Sequence, residues 1–577
     1  MLGTGLWGLD RGGMWRDEAV SFQVGRRTVP QIWQLLHDVD AVHGLYYLLM
    51  HAVLAVHPGE VVLRLPSVCA AALTAALVAA LGTRLARPRV GLWAGLLYAV
   101  APMAGHYAQE GRSYALVAAG ATGATLLLVR ALQGGSWWGY GAVLGVTCWL
   151  HEFAVLVLCA HAGSLALARV GMRAWRGWGC AAGGVVLSLL PMAVVSWGQA
   201  AQVAWLRRPT ASSAEELLRG FLGPAAGVYA ACLALALLGL SGLSGPAGRR
   251  GQFTLPGVAL PLTVVPPMVL MSASQISPLY VDRYVLYALS GAPLLVAGGA
   301  EWVAGAVGRL TAGGPKRHSS VRSPVVTLAG VLAICLAFLL QLPLLREDRD
   351  PRTRADDLGA VSRVVAREAR PGDAVVFVPG SARNAALAYP RAFRGVRDVA
   401  LAEGAAESGT LYGREAGARE VRDRLARLDR VWVVADPDLL AGRWSPRSPV
   451  ERTKLAVLRR EFAVRKEILR GGTTVRLYAR KPLSAPAGAS RGCRVDHPGV
   501  AGSGTHICRV VVTRRLPHAR LRSRGGTPIA STPSSALQLH APDPARVGRS
   551  APLVTVGLIQ TTPPSAPPPV LPRPARW

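Results

Sequence analysis

Apolar residues in this chain gather in blocks close to the length an α-helix needs to cross a bilayer, about 20 residues. Such blocks fill most of residues 61–343, parted by short polar or arginine-rich connections. The pattern predicts about ten spanning helices, at roughly 66–83, 90–107, 113–130, 139–150, 152–168, 180–197, 223–242, 255–272, 284–306 and 323–342. The pair within 139–168 also reads as one long tilted helix, which would reverse everything after it.

Residues 1–65 have a different texture. Leu2 to Leu9 reads like the last turns of a spanning helix whose remainder would be encoded upstream. No basic segment followed by a cleavable apolar core opens the chain, so no signal peptide is expected. Val29 to Leu36 is amphipathic, and Tyr46 to Val56 is apolar but too short to cross. Both are expected to lie on the membrane face.

Arginine placement orients the helices. Arg84, Arg87 and Arg89 mark one connection, and Arg169, Arg173 and Arg176 a second. Arg249 and Arg250 mark a third, and Arg309, Lys316, Arg317 and Arg322 a fourth. With the spans as given, all four fall on one side, where cytoplasmic loops are rich in Lys and Arg. Asp17, Glu110, the 198–222 connection and Asp282-Arg283 then fall on the outer side, as do residues 344–480.

Periodicity changes after the last span. Leu358–Glu368 and Glu415–Leu428 read as helices, and Asp373–Val378, Arg430–Ala435 and Thr474–Ala479 as strands. This predicts a small extracytoplasmic α/β domain over 344–480. In it, Arg383 and Asn384 follow Pro379-Gly380, where a loop role is expected ahead of ligand contact. Residues 481–577 are rich in Pro, Ser and Arg, with 13 basic residues against 2 acidic, and are expected to be a disordered, low-complexity tail. A shift of reading frame after Arg480 would give the same texture. The expected fold class is therefore a polytopic all-α membrane protein with about ten spans, followed by that domain and tail. Its parts are residues 1–65 (a truncated first helix and first outer loop), 66–343, 344–480 and 481–577.

Composition supports this. The chain is 51% hydrophobic and only 17% charged, which excludes an ordinary soluble globule. The net charge of +31 would suggest nucleic acid in a soluble protein, but here the basic residues sit in short connections and in the tail. Six of eight cysteines lie in apolar runs and read as small buried hydrophobes. No spacing of ligand residues indicates a metal, so no cofactor is expected, although a divalent ion shared by Glu18, His151 and Glu152 stays an alternative.

Charged groups at a membrane edge are expensive, which makes them candidates for function. The first is Asp17-Glu18 in Trp15-Arg-Asp-Glu-Ala19. His43, Tyr46 and Tyr47 follow, then Arg64 in Leu63-Arg-Leu-Pro-Ser67, Gln109-Glu110-Gly-Arg112-Ser-Tyr114, and Asp282-Arg283. Sugar transfer from a lipid-linked phosphate fits such a set. A carboxylate takes the acceptor proton, and arginine forks hold the phosphate that leaves. Each residue also has a bland reading, as an interfacial charge, an ion pair or a belt aromatic.

These blocks, in this order, resemble the polyprenyl-phosphate-dependent membrane glycosyltransferases. More narrowly they resemble the dolichyl-phosphate-mannose protein mannosyltransferases and bacterial aminoarabinose transferases, in an actinobacterial branch that carries the Gln109–Tyr114 and Asp282–Leu286 blocks. The resemblance covers about residues 5–345, and more loosely the outer domain to 480. It implies a GT-C-type enzyme in a bacterial plasma membrane, with its active site on the extracytoplasmic side. The implied reaction is an inverting transfer of mannose or a related hexose or pentose. It runs from a polyprenyl monophosphate to a glycan, lipid or protein hydroxyl, without a covalent enzyme intermediate. Asp17 is then the catalytic base and Glu18 its neighbour in catalysis. Arg64, Arg112 and Arg283 bind the donor phosphate, and His43, Tyr46, Tyr47, Glu110 and Tyr114 contact substrate. His43-Gly-Leu-Tyr-Tyr47 departs from the His-Pro-Pro-Leu-Tyr-Tyr of many relatives, which puts the acceptor pocket in question. The rivals are a transporter or flippase of a lipid-linked sugar and an enzyme using a diphosphate-linked glycan. Nucleic acid is not an expected partner.

Overall fold

A computed structural model describes residues 1–203, 205–243, 251–311, 322–354 and 356–482. The expected tail over 481–577 thus falls almost entirely outside the described residues. Five helices are long and apolar enough to cross a membrane: Glu60–Leu85, Tyr114–Leu132, Met172–Gly198, Leu255–Ala273 and Pro324–Asp348. A sixth is available if Ala211–Leu222 and Ala226–Gly239, bent by 86° at a short break, count as one span.

The other predicted spans are helical but shorter or broken. Pro88–Val100 stops at Ala101, because Pro102 holds the residue before it extended and opens a new turn, Pro102–Tyr107. The 139–168 stretch forms two helices, Trp137–Leu150 and a Glu152–Leu167 segment, with His151 extended between them. The 284–306 stretch begins as a 3-10 segment, Asp282–Gly291, with non-helical dihedrals at Val285, and becomes regular only at Ala292.

Ahead of this body come the short helix Leu2–Leu6 and three longer ones, Arg16–Gly25, Val29–Asp38 and Gly44–Val56. Val29–Asp38 opens with a capping box, Thr28 with Gln31, and Pro30 in the first turn. Its Ile32 and Leu35 are buried while Trp33 is 66% exposed, the amphipathic split expected of a surface helix.

Residues beyond the last long helix fold as a mixed sheet with flanking helices. Its strands are β1 (Ala374–Val378), β2 (Arg397–Asp398), β5 (Arg430–Ala435), β6 (Phe462–Arg470) and β7 (Thr473–Arg480), ordered β2-β1-β5-β7-β6. A hairpin of β3 (Leu401–Glu403) and β4 (Arg414–Glu415) lies apart. β1 runs parallel to β2 and β5, while β7 runs antiparallel to β5 and β6. All of β1 is buried, because helices cover both faces of the sheet. The helix Pro449–Glu461 and strand β6 are elements the hydrophobic pattern did not announce.

One apolar cluster joins the sheet domain to the first helices. Met14, Ala19, Phe22, Ile32, Tyr46 and Leu63 share it with Val361, Phe377, Ala385 and Trp432. Polar stitches reinforce the junction. Gly13 donates its N–H to Asp357 Oδ1 at 3.1 Å, Leu358 donates to the Met14 carbonyl at 3.0 Å, and Met14 donates to the Tyr389 hydroxyl at 2.7 Å. That hydroxyl in turn donates to Glu60.

Candidate functional site

The helix Arg16–Gly25 opens with Asp17 and Glu18 in its first turn, where carboxylates meet the positive end of the helix dipole. Successive residues on a helix point about 100° apart, so the two acids face different partners. Glu18 is 1% exposed and takes a two-pronged contact from Arg64, Nε to Oε1 at 2.8 Å and Nη2 to Oε2 at 2.7 Å. Gly111 adds its N–H to Oε1 at 2.8 Å. Burial pushes the Glu18 carboxyl up, but the charge and hydrogen bonds of Arg64 outweigh it and hold the group below its ordinary value.

Arg64 spends its remaining donors on the carbonyls of Leu9, at 2.9 Å, and Gly13, at 3.3 Å. It is 1% exposed. Three residues along the same helix, Ser67 donates to the carbonyls of Glu110, at 2.6 Å, and Arg112, at 3.1 Å. A Cβ on Gly111 would lie 2.5 Å from Leu63 Cγ, so only glycine fits there. The Leu63–Ser67 and Gln109–Arg112 blocks thus build one cradle around Glu18. The donor-phosphate role expected for Arg64 meets a guanidinium already enclosed by protein oxygens.

Asp17 turns the other way. Its side chain is 34% exposed, and Oδ2 lies 3.6 Å from Arg283 Nη2. Arg283 donates from Nε to the Tyr114 hydroxyl at 3.1 Å and lies 5.7–5.8 Å from the rings of Trp15, Tyr114 and Tyr284. Asp282 accepts the Arg283 backbone N–H at 2.8 Å and the Tyr107 hydroxyl at 3.2 Å.

Arg112 reaches the same tyrosine, its guanidinium carbon 5.9 Å from the Tyr114 ring. It also contacts Ser21 Oγ at 3.3 Å and His43 Nε2 at 2.7 Å. Glu110 does not share this place. It lies 3.3 Å from His106 Nε2, whose Nδ1 is 2.7 Å from Asp348. The split occurs because residues 109–113 are non-helical and the long helix starts at Tyr114, so Glu110 and Arg112 are free to diverge. Tyr47 donates to Asp40 Oδ2 at 2.7 Å, and the buried Tyr46 hydroxyl has no hydrogen-bond partner among the described residues.

Sequence reading named one member of the cluster only as a possible metal ligand and passed over a second. His151, extended between two apolar helices, holds its ring tilted at 5.9 Å from His43, 5.7 Å from Tyr114 and 4.8 Å from Tyr284. Burial, reinforced by Arg112 and Arg283, pushes His151 down to about 3. Burial and Arg112 hold His43 well below the imidazole range too. Both rings are neutral at pH 7. Asp40 is the second, a left-handed residue whose carboxyl burial pushes up, Tyr47 and Arg112 opposing. A carboxylate three residues before His43, in a loop, was the available signal for it.

Because Arg112 donates to His43 Nε2, that nitrogen accepts and the ring proton sits on Nδ1. His43 Nδ1, Arg112 Nε and His151 Nδ1 are buried without partners among the described residues. Buried polar atoms are nearly always paired, so three orphans in one cluster make it a candidate site for a polar ligand. Two guanidiniums beside them favour an anion. Among the described residues no three His, Cys, Asp or Glu side chains gather as a metal site, and Glu152 accepts from Ser196 at 2.9 Å, apart from Glu18.

Comparison with known proteins follows this geometry. Residues 44–197 match the family model described as dolichyl-phosphate-mannose-protein mannosyltransferase. No curated protein matches the chain. Among solved structures, apo ArnT from Cupriavidus metallidurans superposes with a TM-score of 0.53 at 14% identity, over 82% of this chain and 96% of that one. The same protein bound to undecaprenyl phosphate gives 0.49 at 15% identity, over 84% and 97%. The archaeal oligosaccharyltransferase AglB from Archaeoglobus fulgidus gives 0.44 at 12%, over 83% and 71%. The family match covers residues 44–197, and the fold as a whole is similar to that of apo ArnT.

Proposed function

We propose that this protein transfers a sugar from a polyprenyl-monophosphate donor to a hydroxyl acceptor on the extracytoplasmic face of the membrane, with mannose or a related hexose or pentose as the sugar. One observation carries the reading: Arg112 and Arg283 converge on Tyr114, beside three orphaned buried polar atoms and the partly exposed Asp17. Two fixed cations suit a phosphodiester that leaves as a phosphate, because charge grows on that oxygen as the bond breaks. Arg64 is assigned to the scaffold around Glu18, and the donor phosphate to Arg112 and Arg283.

In the step itself the acceptor oxygen attacks the anomeric carbon. Its proton passes to the Asp17 carboxylate. The bond from the anomeric carbon to the phosphate oxygen breaks, and polyprenyl phosphate departs with the electron pair. Attack opposite the leaving group inverts the anomeric centre. Glu18, locked against Arg64, keeps the first turn of its helix in place and takes no proton.

The test is turnover of purified protein in liposomes with a panel of polyprenyl-monophosphate sugars. Cleavage of one of them with release of polyprenyl phosphate is expected. Transport without cleavage, or a need for a diphosphate donor, would contradict the reading. Arg283→Ala removes a charge-assisted contact and should weaken donor binding about 10- to 100-fold.

A further inference from the structure

Two imidazoles in the cluster have no part in the step described above. His43 caps the start of the helix Gly44–Val56, and His151 lies in the extended break before Glu152–Leu167. Their ring centroids are 5.9 Å apart. His43 is 7% exposed and His151 4%, and the Nδ1 of each has no hydrogen-bond partner among the described residues. Direct contacts tie both rings to the site. Arg112 donates from Nη2 to His43 Nε2 at 2.7 Å and from Nη1 to Ser21 Oγ at 3.3 Å. Ser21 in turn donates to the Asp17 carbonyl at 3.1 Å, one turn back on the same helix. The His151 ring lies 5.7 Å from that of Tyr114, whose hydroxyl accepts from Arg283 Nε at 3.1 Å.

The contact with Arg112 fixes the state of His43. A guanidinium only donates, so Nε2 accepts, the ring is neutral and its proton is on Nδ1. Nδ1 lies on the other polar edge of the ring, so its N–H is directed away from the Arg112 guanidinium. A neutral donor thus stands beside a second imidazole whose Nδ1 is unpaired, one ring's width from the cations that suit a phosphate.

We propose that His43 Nδ1–H and His151 Nδ1 together hold one hydroxyl of the sugar being transferred. The hydroxyl oxygen accepts from His43, and its own O–H donates to His151. Two hydrogen bonds of about 2.8 Å each fit between neighbouring rings at this separation. A hydroxyl both takes and gives a hydrogen bond, so it pairs the two buried orphans at once. A phosphate oxygen fits the pair less well. It only accepts, and its donors are already at hand on Arg112 and Arg283. A site built to hydrogen-bond a hydroxyl discriminates against the analogue that lacks it, because its buried polar groups then stay unpaired. The two histidines therefore select the donor by a hydroxyl at one position of its sugar. The inference rests on the donor reading above and adds to it how the sugar is chosen.

The test uses the full chain in liposomes with the polyprenyl-monophosphate sugar that the parent cleaves and with its monodeoxy analogues, one for each hydroxyl. For one analogue the parent's kcat/KM should fall about 5- to 100-fold, the worth of two neutral hydrogen bonds. His151→Phe keeps a flat ring among aromatic neighbours and removes the acceptor. Its discrimination against that analogue should shrink by about 3- to 10-fold, the worth of one such bond. His43→Gln, which keeps an acceptor for Arg112 but loses the Nδ1 donor, should shrink it similarly. His151→Asn, which returns an acceptor, should recover part of the discrimination. Affinity for polyprenyl phosphate without a sugar should stay close to the parent's in every variant, which also shows that the variants are folded. Equal use of all analogues by the parent overturns the inference, as does undiminished discrimination in His151→Phe and His43→Gln. Loss of polyprenyl phosphate affinity in both variants, matching their loss toward the sugar donor, would assign the histidines to the phosphate and overturn it too. A parent that cleaves no monophosphate donor refutes the donor reading instead, so the two failures are distinct.

Discussion

Two adjacent acids with opposite fates set the chemistry at the scale of single residues. Glu18 is enclosed by Arg64 and Gly111, whereas Asp17 reaches toward Arg283 and solvent. Removing one partner from a buried ion pair leaves a bare charge, at a cost of about 3–5 kcal/mol. Arg64→Met should therefore lower the melting temperature in detergent sharply, and a melting temperature equal to the parent's would contradict the scaffold role. The neutral histidines supply a second prediction. An unfolded His151 takes a proton below its ordinary 6.5, while the folded one resists to about 3. Its stabilising contribution is complete above pH 6.5 and is lost as pH falls toward 3, because the unfolded state then binds more protons. Glu18 adds its own loss only below its ordinary 4.5. Melting temperature should thus fall between pH 6.5 and 4.5, and His151→Gln should flatten that slope. An equal slope in the variant would rule out the buried neutral ring. The charged and aromatic candidates were legible in the sequence, since charges at a membrane edge stand out against apolar neighbours. Their partners were not. Glu18 with Arg64, and Glu110 with His106, depend on helix phase and on where a helix starts, and neither is written in spacing.

At the scale of elements, the break at residues 109–113 and the extended His151 matter most. Both interrupt apolar stretches that hydropathy reads as boundaries and nothing more. Each turns a polar residue into the cluster around Tyr114, because backbone leaving a helix redirects its side chains. The long helices were legible because a membrane demands length and apolarity together. The shorter ones were read as complete crossings, and Pro102 and Val285 interrupt them. Strand β6 was missed because its exposed positions carry charge and it has no alternating pattern. Topology can be tested on these elements. In a background without native cysteines, a cysteine at Arg173 should be shielded from an impermeant thiol reagent in intact cells, and one at Ser213 should react. The reverse would move the site to the inner face.

For the whole molecule, the first helices, the membrane body and the sheet domain share cores and polar stitches, so the site depends on all three. The domain was expected from the change of period after residue 355. Its docking onto Arg16–Gly25 was not, because Gln23 and Arg27 bind main-chain carbonyls, which carry no signature in sequence. The last strand ends at Arg480, and Lys481 closes it with an N–H to the Glu461 carbonyl at 2.9 Å. The sequence beyond that point is the low-complexity stretch expected to add nothing to the fold. A chain ending at Pro482 should therefore insert and turn over like the full chain, and loss of turnover with normal insertion would contradict this.

The central claim is that Asp17 takes the acceptor proton during transfer from a polyprenyl-monophosphate sugar. Asp17→Asn keeps size and most hydrogen bonding but cannot accept that proton. General base catalysis contributes about 10²- to 10⁴-fold. The decisive measurement is turnover of the parent and of Asp17→Asn, both correctly inserted in liposomes, with the same donor and with donor affinity measured alongside. Turnover falling by about that factor while donor affinity changes little is the predicted result. Near-parental turnover in Asp17→Asn would contradict it.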